Sequence, residues 1–241
     1  MLVYVFTALG LWLLAFLPGV LAGLIVAYRV RGKESPILTS GMATQVCFIV
    51  SSILIVLLLF RGDFRLLGFK INLHYTLQSL IVSLLVASTI TTFTYYTSRK
   101  ARYEPPFLHE NPILLALVAC TLAPLGEEIL FRGLLEGYLL VHTSISLSIA
   151  IPSILFAIIH LASYPKAPTR ILILVIMGAF TMGLIASYYR ALSESLLPAI
   201  VSHSTFNIVG VVLVKIIKPC GYGQTDHSIR CNTLQLQHQL K

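Results

Sequence analysis

Long apolar stretches bounded by charged residues constrain this chain more than any other feature. A transmembrane α-helix needs about 20 consecutive, mostly apolar residues, and the 241-residue sequence contains several such stretches. They predict seven spans, at residues 2–28, 37–60, 74–97, 111–140, 144–163, 171–189 and 195–214. The sequence therefore predicts an all-α, polytopic membrane protein with about seven transmembrane helices around a polar cavity.

Composition supports lipid as the surrounding solvent. Hydrophobic residues make up 57% of the chain and charged residues 11%, and the mean hydropathy is +0.88. A soluble domain is about half apolar and about a quarter charged. This balance excludes a soluble globular domain, a disordered chain and a small disulfide scaffold, and it makes membrane lipids the expected environment.

The formal net charge of +8 is distributed as a topology signal. Basic residues cluster between spans rather than on a face interleaved with aromatics, so no nucleic-acid partner is predicted. Alternating spans place on one side Arg29, Arg31, Lys33, Arg99, Lys100, Arg102, Lys166, Arg170, Lys215 and Lys218, and on the other side Arg61, Arg65, Lys70 and Arg190. Because cytoplasmic loops collect Lys and Arg, the N-terminus is predicted outside and the C-terminus in the cytoplasm.

The chain divides into three predicted parts. Residues 1–110 hold N-terminal transmembrane helices, 111–214 form a candidate catalytic core, and 215–241 form a polar, Gln-rich cytoplasmic tail. The tail contains the potential zinc ligands Cys220, His227, Cys231 and His238. Their spacing matches no standard ligand pairing, so no metal is predicted there.

Two glycine pairs have a spacing that permits close helix approach. Gly19 and Gly23 lie in the first span, and Gly133 and Gly137 lie in the fourth. Small residues four apart allow another backbone to approach a membrane helix closely, although this spacing also recurs by chance.

Two adjacent carboxylates lie in the fourth span, where an ionisable side chain is costly unless it has a polar partner within the protein. Pro124 and Gly126 precede Glu127 and Glu128, which predicts that the helix is interrupted and restarts there, with the acids in its first turn near the positive end of its dipole. Arg132 is four residues after Glu128 and on the same helix face, and it could also reach Glu136. Glu128 and Arg132 are typical of a structural ion pair. Glu127, about 100° around the helix, is left for chemistry.

Two further polar pairs repeat the four-residue spacing. Phe156 and His160 end the fifth span, while His203 and Asn207 lie in the last span. Each pair taken alone is also compatible with a structural role, as a hydrogen-bonded core histidine or as hydrogen bonds between helices. Together with Glu127 they supply what peptide hydrolysis needs. Glu127 and His160 would activate and orient water, and His203 and Asn207 would donate to the developing oxyanion.

In this order, Glu127-Glu128-x-x-x-Arg132, Phe156-x-x-x-His160 and His203-x-x-x-Asn207 resemble the three motifs of the CPBP family. This family includes type II CAAX prenyl endopeptidases (Rce1-like), bacteriocin-processing and immunity proteins, and abortive-infection-like proteins. The resemblance implies a membrane-embedded peptidase whose cavity opens to the cytosol and whose substrate is a membrane-associated peptide or prenylated protein. It also implies that Glu127 and His160 activate water, that His203 and Asn207 form the oxyanion hole, and that Glu128, Arg132 and Phe156 support the site.

Three alternatives stay open from the sequence. Two histidines with a glutamate would suit zinc by ligand type, although no HExxH pattern is present and a metal-free mechanism is favoured, with no cofactor. The same fold could serve a non-catalytic immunity or scaffold protein. A small proton-relaying transporter is disfavoured because no repeated half of the chain is evident.

Overall fold

The computed structural model describes residues 1–31, 35–101, 111–164 and 167–216. These ranges contain long helices, short 3₁₀ helices and no strand. The long helices are α1 (Leu2–Arg29), α2 (Pro36–Leu59), α3 (Leu73–Ala101), α4 (Pro112–His142), α5 (Ile145–Ile159), α6 (Thr169–Ser193) and α7 (Leu197–Ile216). A 3₁₀ turn, His160–Ser163, extends α5, and a second 3₁₀ helix, η1 (Phe64–Leu67), lies between α2 and α3.

The predicted spans are confirmed to within a few residues. Six helices are long and apolar enough to cross a membrane, and a shorter apolar helix over Leu197–Leu213 adds a seventh element. The protein is therefore a multi-pass integral membrane protein with an all-α fold. The orientation of its termini stays a prediction. Part of the sequence that bears on it lies outside the described residues, namely Lys33, Arg102, Lys166, Lys218 and the tail with Cys220, His227, Cys231 and His238.

The predicted restart of the helix at Pro124 and Gly126 is wrong. Helix α4 continues from Pro112 to His142, with π-helical stretches at Val118–Leu122 and Ile129–Glu136. A proline ring clashes with the carbonyl four residues earlier and removes one hydrogen bond. The first π-helical stretch widens the backbone at that point, which lets the helix pass through Pro124. Glu127 and Glu128 consequently lie within a helix and have no free helix N-terminus beside them.

Helix α4 is the centre of the bundle. It contacts α1, α2, α5, α6, α7 and η1, while α1 also packs along α2, α3 along α7, and α5 along α6. All eight residues of the π-helical stretch Ile129–Glu136 are buried. A helical stretch that is buried on every side keeps its polar groups away from lipid, so this part of α4 can carry charged side chains within the membrane.

Helix η1 packs into one end of the bundle. We call the end at which α1 begins the N-terminal face. Because successive helices alternate in direction, residues 60–72, 143–144 and 194–196 connect helices at this face. Leu67 of η1 is fully buried and packs into the main hydrophobic core. The segment between α2 and α3 therefore inserts into the bundle and packs against the second π-helical stretch of α4.

Arg190 does not lie in an exposed outer loop, where the predicted topology places it. Its side chain is buried in α6, and its Nη2 donates to the carbonyl of Leu66 at 3.1 Å. The guanidinium lies against Gly68, where a Cβ would come within 2.7 Å of its Cζ, and Gly68 has a positive φ of 74°. A glycine is needed at such a position for both reasons. Arg190 thus fastens η1 in place instead of marking an outer loop.

Both glycine pairs are sites of close approach. A Cβ on Gly19 or Gly23 would collide with Phe48 or Thr44 of α2. A Cβ on Gly133 would lie 3.1 Å from the Leu67 side chain, and one on Gly137 would collide with the carbonyl oxygen of Leu66. The first pair lets two helices pack closely, and the second pair admits η1 against α4.

We expect Gly137→Ala to destabilise the bundle, because its Cβ would meet the rigid backbone of η1. Overpacking of this kind costs about 1–3 kcal/mol. Gly210→Ala is the matched control, since a Cβ there meets nothing within 4 Å and alanine gains about 0.5–1 kcal/mol in a helix. Thermal unfolding in detergent should give a lower melting temperature for the first variant alone. Equal melting temperatures would contradict the insertion of η1.

Candidate active site

The two carboxylates lie at the midpoint of α4. Glu127 is 15 residues from both Pro112 and His142, the first and last residues of the helix. In a bilayer whose apolar core is about 30 Å thick, this position is near the membrane centre. Each carboxylate therefore needs a partner within the protein, and the two find different ones.

Glu128 is fully buried in a charge network. Its Oε1 accepts hydrogen bonds from Arg132 Nη1 at 3.0 Å and from His203 Nδ1 at 2.8 Å. Arg132 also donates from Nη2 to the carbonyl of Gly183 at 3.2 Å and from Nε to Ser187 Oγ at 3.4 Å. The predicted Glu128–Arg132 pair is therefore present. In the described part of the chain, Arg132 makes these two contacts with α6 in place of the predicted contact with Glu136.

His203 lies between the two carboxylates. Its Nδ1 contacts Glu128, while its Nε2 is 3.9 Å from Glu127 Oε2. A histidine that donates from Nδ1 has a proton on Nε2 only in its imidazolium form. Its position therefore allows two states: an acceptor facing Glu127 or, when charged, a donor directed into the site.

Phe156 of α5 packs against Arg132 and His203. Its fully buried ring lies 4.6 Å from Arg132 Cζ, as a cation–π contact, and packs edge-on to the His203 ring at 5.3 Å. The ring of His160, one turn later, is 4.3 Å away. His160 Nδ1 is 2.8 Å from the carbonyl of Phe156 and acts as the donor, because a carbonyl can only accept. The neutral ring therefore presents Nε2 as an acceptor.

Asn207 is anchored to the first π-helical stretch of α4. Its Nδ2 donates to the carbonyl of Ala119 at 2.6 Å. An amide nitrogen carries two N–H groups, so one remains after this contact. The predicted set Glu127, His160, His203 and Asn207 is thus carried by three helices that pack around one region. In the described residues, no hydrogen bond or ion pair joins His160 to Glu127.

Exposure differs among the predicted site residues, of which His203 is buried. Glu128 and Arg132 are completely buried, whereas the Glu127 side chain is 14% exposed, and His160 and Asn207 are half-buried. On each helix the more accessible residue lies farther from the N-terminal face than its buried neighbour. The more accessible residues of the site therefore lie toward the end of the bundle opposite η1.

Sequence reasoning missed one contributor to this region. Gln45 of α2 is buried, and its Nε2 donates to Glu127 Oε1 at 2.9 Å. It is a polar residue within an apolar span, which is itself a signal of function or of interhelical contact in a membrane. Glu136, which the sequence places one turn after Arg132, is fully buried.

No metal-ligand cluster forms in the described parts of the chain. Within them, no group of three or more His, Cys, Asp or Glu side chains is arranged to hold a metal ion. Nδ1 of His160 and Nδ1 of His203 are engaged with Phe156 and Glu128. The mechanism without a metal stays a prediction.

Residues 109–209 match the family model described as type II CAAX prenyl endopeptidase Rce1-like. The matched segment includes α4 to most of α7 and contains all three motifs. No curated protein and no solved structure matches the chain. The resemblance noted from the motifs is confirmed over this segment, and the match supports a peptidase.

We expect Arg132→Ala to lower stability by about 3–5 kcal/mol, because it leaves Glu128 buried with a charge that has lost its main counterion. Thermal unfolding in detergent measures this loss. Two matched controls should keep the wild-type melting temperature. Arg65→Ala removes an exposed pair with Asp63, and Glu127→Gln retains an acceptor for Gln45. Unfolding of the Glu127→Gln variant with a stable Arg132→Ala variant would reverse the assigned roles.

Proposed function

We propose that this protein is an intramembrane endopeptidase that hydrolyses a peptide bond of a membrane-associated or prenylated substrate with water activated by Glu127. The observation that carries the proposal is the difference between the two carboxylates. Glu128 is completely buried and its Oε1 is held by Arg132 and His203, whereas the Glu127 side chain is 14% exposed and has no arginine partner in the described residues. Oε2 of each carboxylate lacks a hydrogen-bond partner in those residues, but that of Glu128 belongs to the ion pair with Arg132. A base must have a free oxygen that water can reach.

The attacking water would lie between Glu127 and His160. One of its protons is given to Glu127 Oε2, while the other is held by the His160 Nε2 lone pair, since Nδ1 already donates to Phe156. The water oxygen then forms a bond to the carbonyl carbon of the substrate. This assignment uses the imidazole for orientation and the carboxylate for proton transfer, which together contribute two separate parts of the rate enhancement.

The oxyanion that forms would be stabilised by His203 and Asn207. The free N–H of Asn207 Nδ2 is available, and His203 in its imidazolium form has an N–H on Nε2. Glu128 and Arg132 keep the His203 ring oriented. Glu127 then passes its proton to the amide nitrogen, and the C–N bond breaks to give a carboxylic acid and an amine. In a site without bulk water such fixed donors are worth several kcal/mol.

The substrate class follows from depth and from the family match. A scissile bond must come close to Glu127 near mid-membrane, so the substrate must have a segment or an attached lipid that enters the bilayer. The matched family description names CAAX prenyl endopeptidases. We therefore propose a prenylated C-terminal CAAX sequence as the first substrate to test.

The test is cleavage of a fluorogenic farnesylated CAAX peptide by purified protein in detergent, beside the same peptide without the lipid. We expect cleavage of the lipidated peptide. Glu127→Gln should lower kcat by about 10²–10⁴-fold, the usual contribution of a general base. Glu194→Gln, in an exposed pair with Lys70, is the matched control and should retain full activity.

A zinc chelator separates the two mechanisms. Activity that persists with the chelator and disappears in Glu127→Gln is expected. Activity lost to the chelator and restored by zinc would contradict the metal-free mechanism. A folded wild-type protein that cleaves neither peptide would contradict CAAX processing and favour a non-catalytic role for the same fold.

A further inference from the structure

We propose that Gln45 is a positioning residue that fixes the orientation of the Glu127 carboxylate, an inference that rests on the proposed function. Gln45 lies on α2, outside the segment that matches the family. Its Nε2 donates to Glu127 Oε1 at 2.9 Å across 82 residues of sequence. The N-terminal helices thereby contribute a polar group to the active site.

The chemistry of this contact fixes its direction. A carboxylate can only accept hydrogen bonds, so the amide nitrogen of Gln45 must face Glu127. The Gln45 side chain is only 7% exposed, which leaves the contact little competition from water. A hydrogen bond to a charged group contributes about 1.5–3 kcal/mol, roughly twice that of a neutral pair.

This contact decides which oxygen of Glu127 acts as the base. Gln45 engages Oε1, and Oε2 is left facing His203 Nε2 at 3.9 Å. Without the amide, the carboxylate could rotate about its last bond and present either oxygen in several directions. Small losses of alignment of this kind lower turnover strongly, because the reacting atoms no longer start in line.

Gly126 provides the space that Gln45 occupies. A Cβ at Gly126 would lie 2.5 Å from Gln45 Oε1 and 2.9 Å from its backbone oxygen. The residue before the catalytic glutamate is therefore small because α2 passes there with Gln45. This packing is a second observation, independent of the hydrogen bond, that directs Gln45 toward Glu127.

Two length-matched variants test the donor. Gln45→Glu keeps the shape but replaces the N–H donor with an acceptor, and Gln45→Met keeps the length with no donor. We expect both to lower kcat by about 10- to 100-fold, the fold-change that corresponds to one charge-assisted hydrogen bond. KM should stay at the wild-type value, because Gln45 acts on the orientation of Glu127 and is assigned no part in substrate binding.

The matched controls are Gln78→Glu and Gln78→Met. Gln78 is an exposed glutamine of α3 whose side chain contacts His74, and neither variant should change kcat. Gly126→Ala should reproduce the kcat loss by displacing Gln45. Gly41→Ala, on the same helix as Gln45 with nothing within 4 Å of its Cβ, should not.

The outcomes separate this inference from the proposed function. If Glu127→Gln abolishes activity but both Gln45 variants keep the wild-type kcat, the inference is overturned and the proposed function stands. A kcat loss that only accompanies a lower melting temperature would assign Gln45 to packing and would also overturn it.

A double-mutant cycle tests the contact without activity. The melting temperatures of Gln45→Met, Glu127→Ala and the double variant should be non-additive, with a smaller loss in the double variant than the sum of the two single losses. If no peptide is cleaved, this cycle still decides the inference. Additive losses would overturn the contact on which it depends.

Discussion

The charge of Arg132 is the constraint on which the rest of the site depends. An isolated carboxylate cannot stay ionised in an apolar interior, and two adjacent ones repel each other. Arg132 neutralises Glu128 at 3.0 Å and uses its remaining donors on the carbonyl of Gly183 and the hydroxyl of Ser187. The same guanidinium therefore joins α4 to α6 and makes a glutamate pair tolerable at mid-membrane.

The division of work between the carboxylates follows from this network. Glu128 holds His203 at 2.8 Å, so the ring is fixed with its second nitrogen directed at Glu127. Phe156 covers Arg132 and packs on both histidine rings, which keeps water away from the ion pair. Glu127 is 14% exposed and forms no ion pair with an arginine in the described residues, whereas Glu128 is completely buried and paired with Arg132. The structural role of one acid thus leaves the other free for chemistry.

Much of this could be predicted from the sequence because membrane physics restricts the choices. Apolar length located the helices, and the four-residue spacing placed Arg132 on Glu128. The continuity of α4 through Pro124 could not be predicted, since a π-helical turn is a local backbone adjustment with no hydropathy signal. Arg190 was misread because a basic residue near a helix end can either reach the membrane surface or fold inward.

The packing of residues 111–214 depends on the first part of the chain. At three positions of α4 a glycine is needed, because a Cβ there would come too close to a residue of the first part of the chain. Gln45 packs on Gly126, Leu67 on Gly133 and the Leu66 carbonyl on Gly137. The first motif therefore lies on a helix whose packing depends on α2 and η1. Arg190 holds η1 in place through its hydrogen bond to the carbonyl of Leu66. If the N-terminus is outside, as the distribution of basic residues predicts, Glu127, His160 and Asn207 lie on the cytoplasmic side of their more buried neighbours, because on each helix they are farther from the N-terminal face.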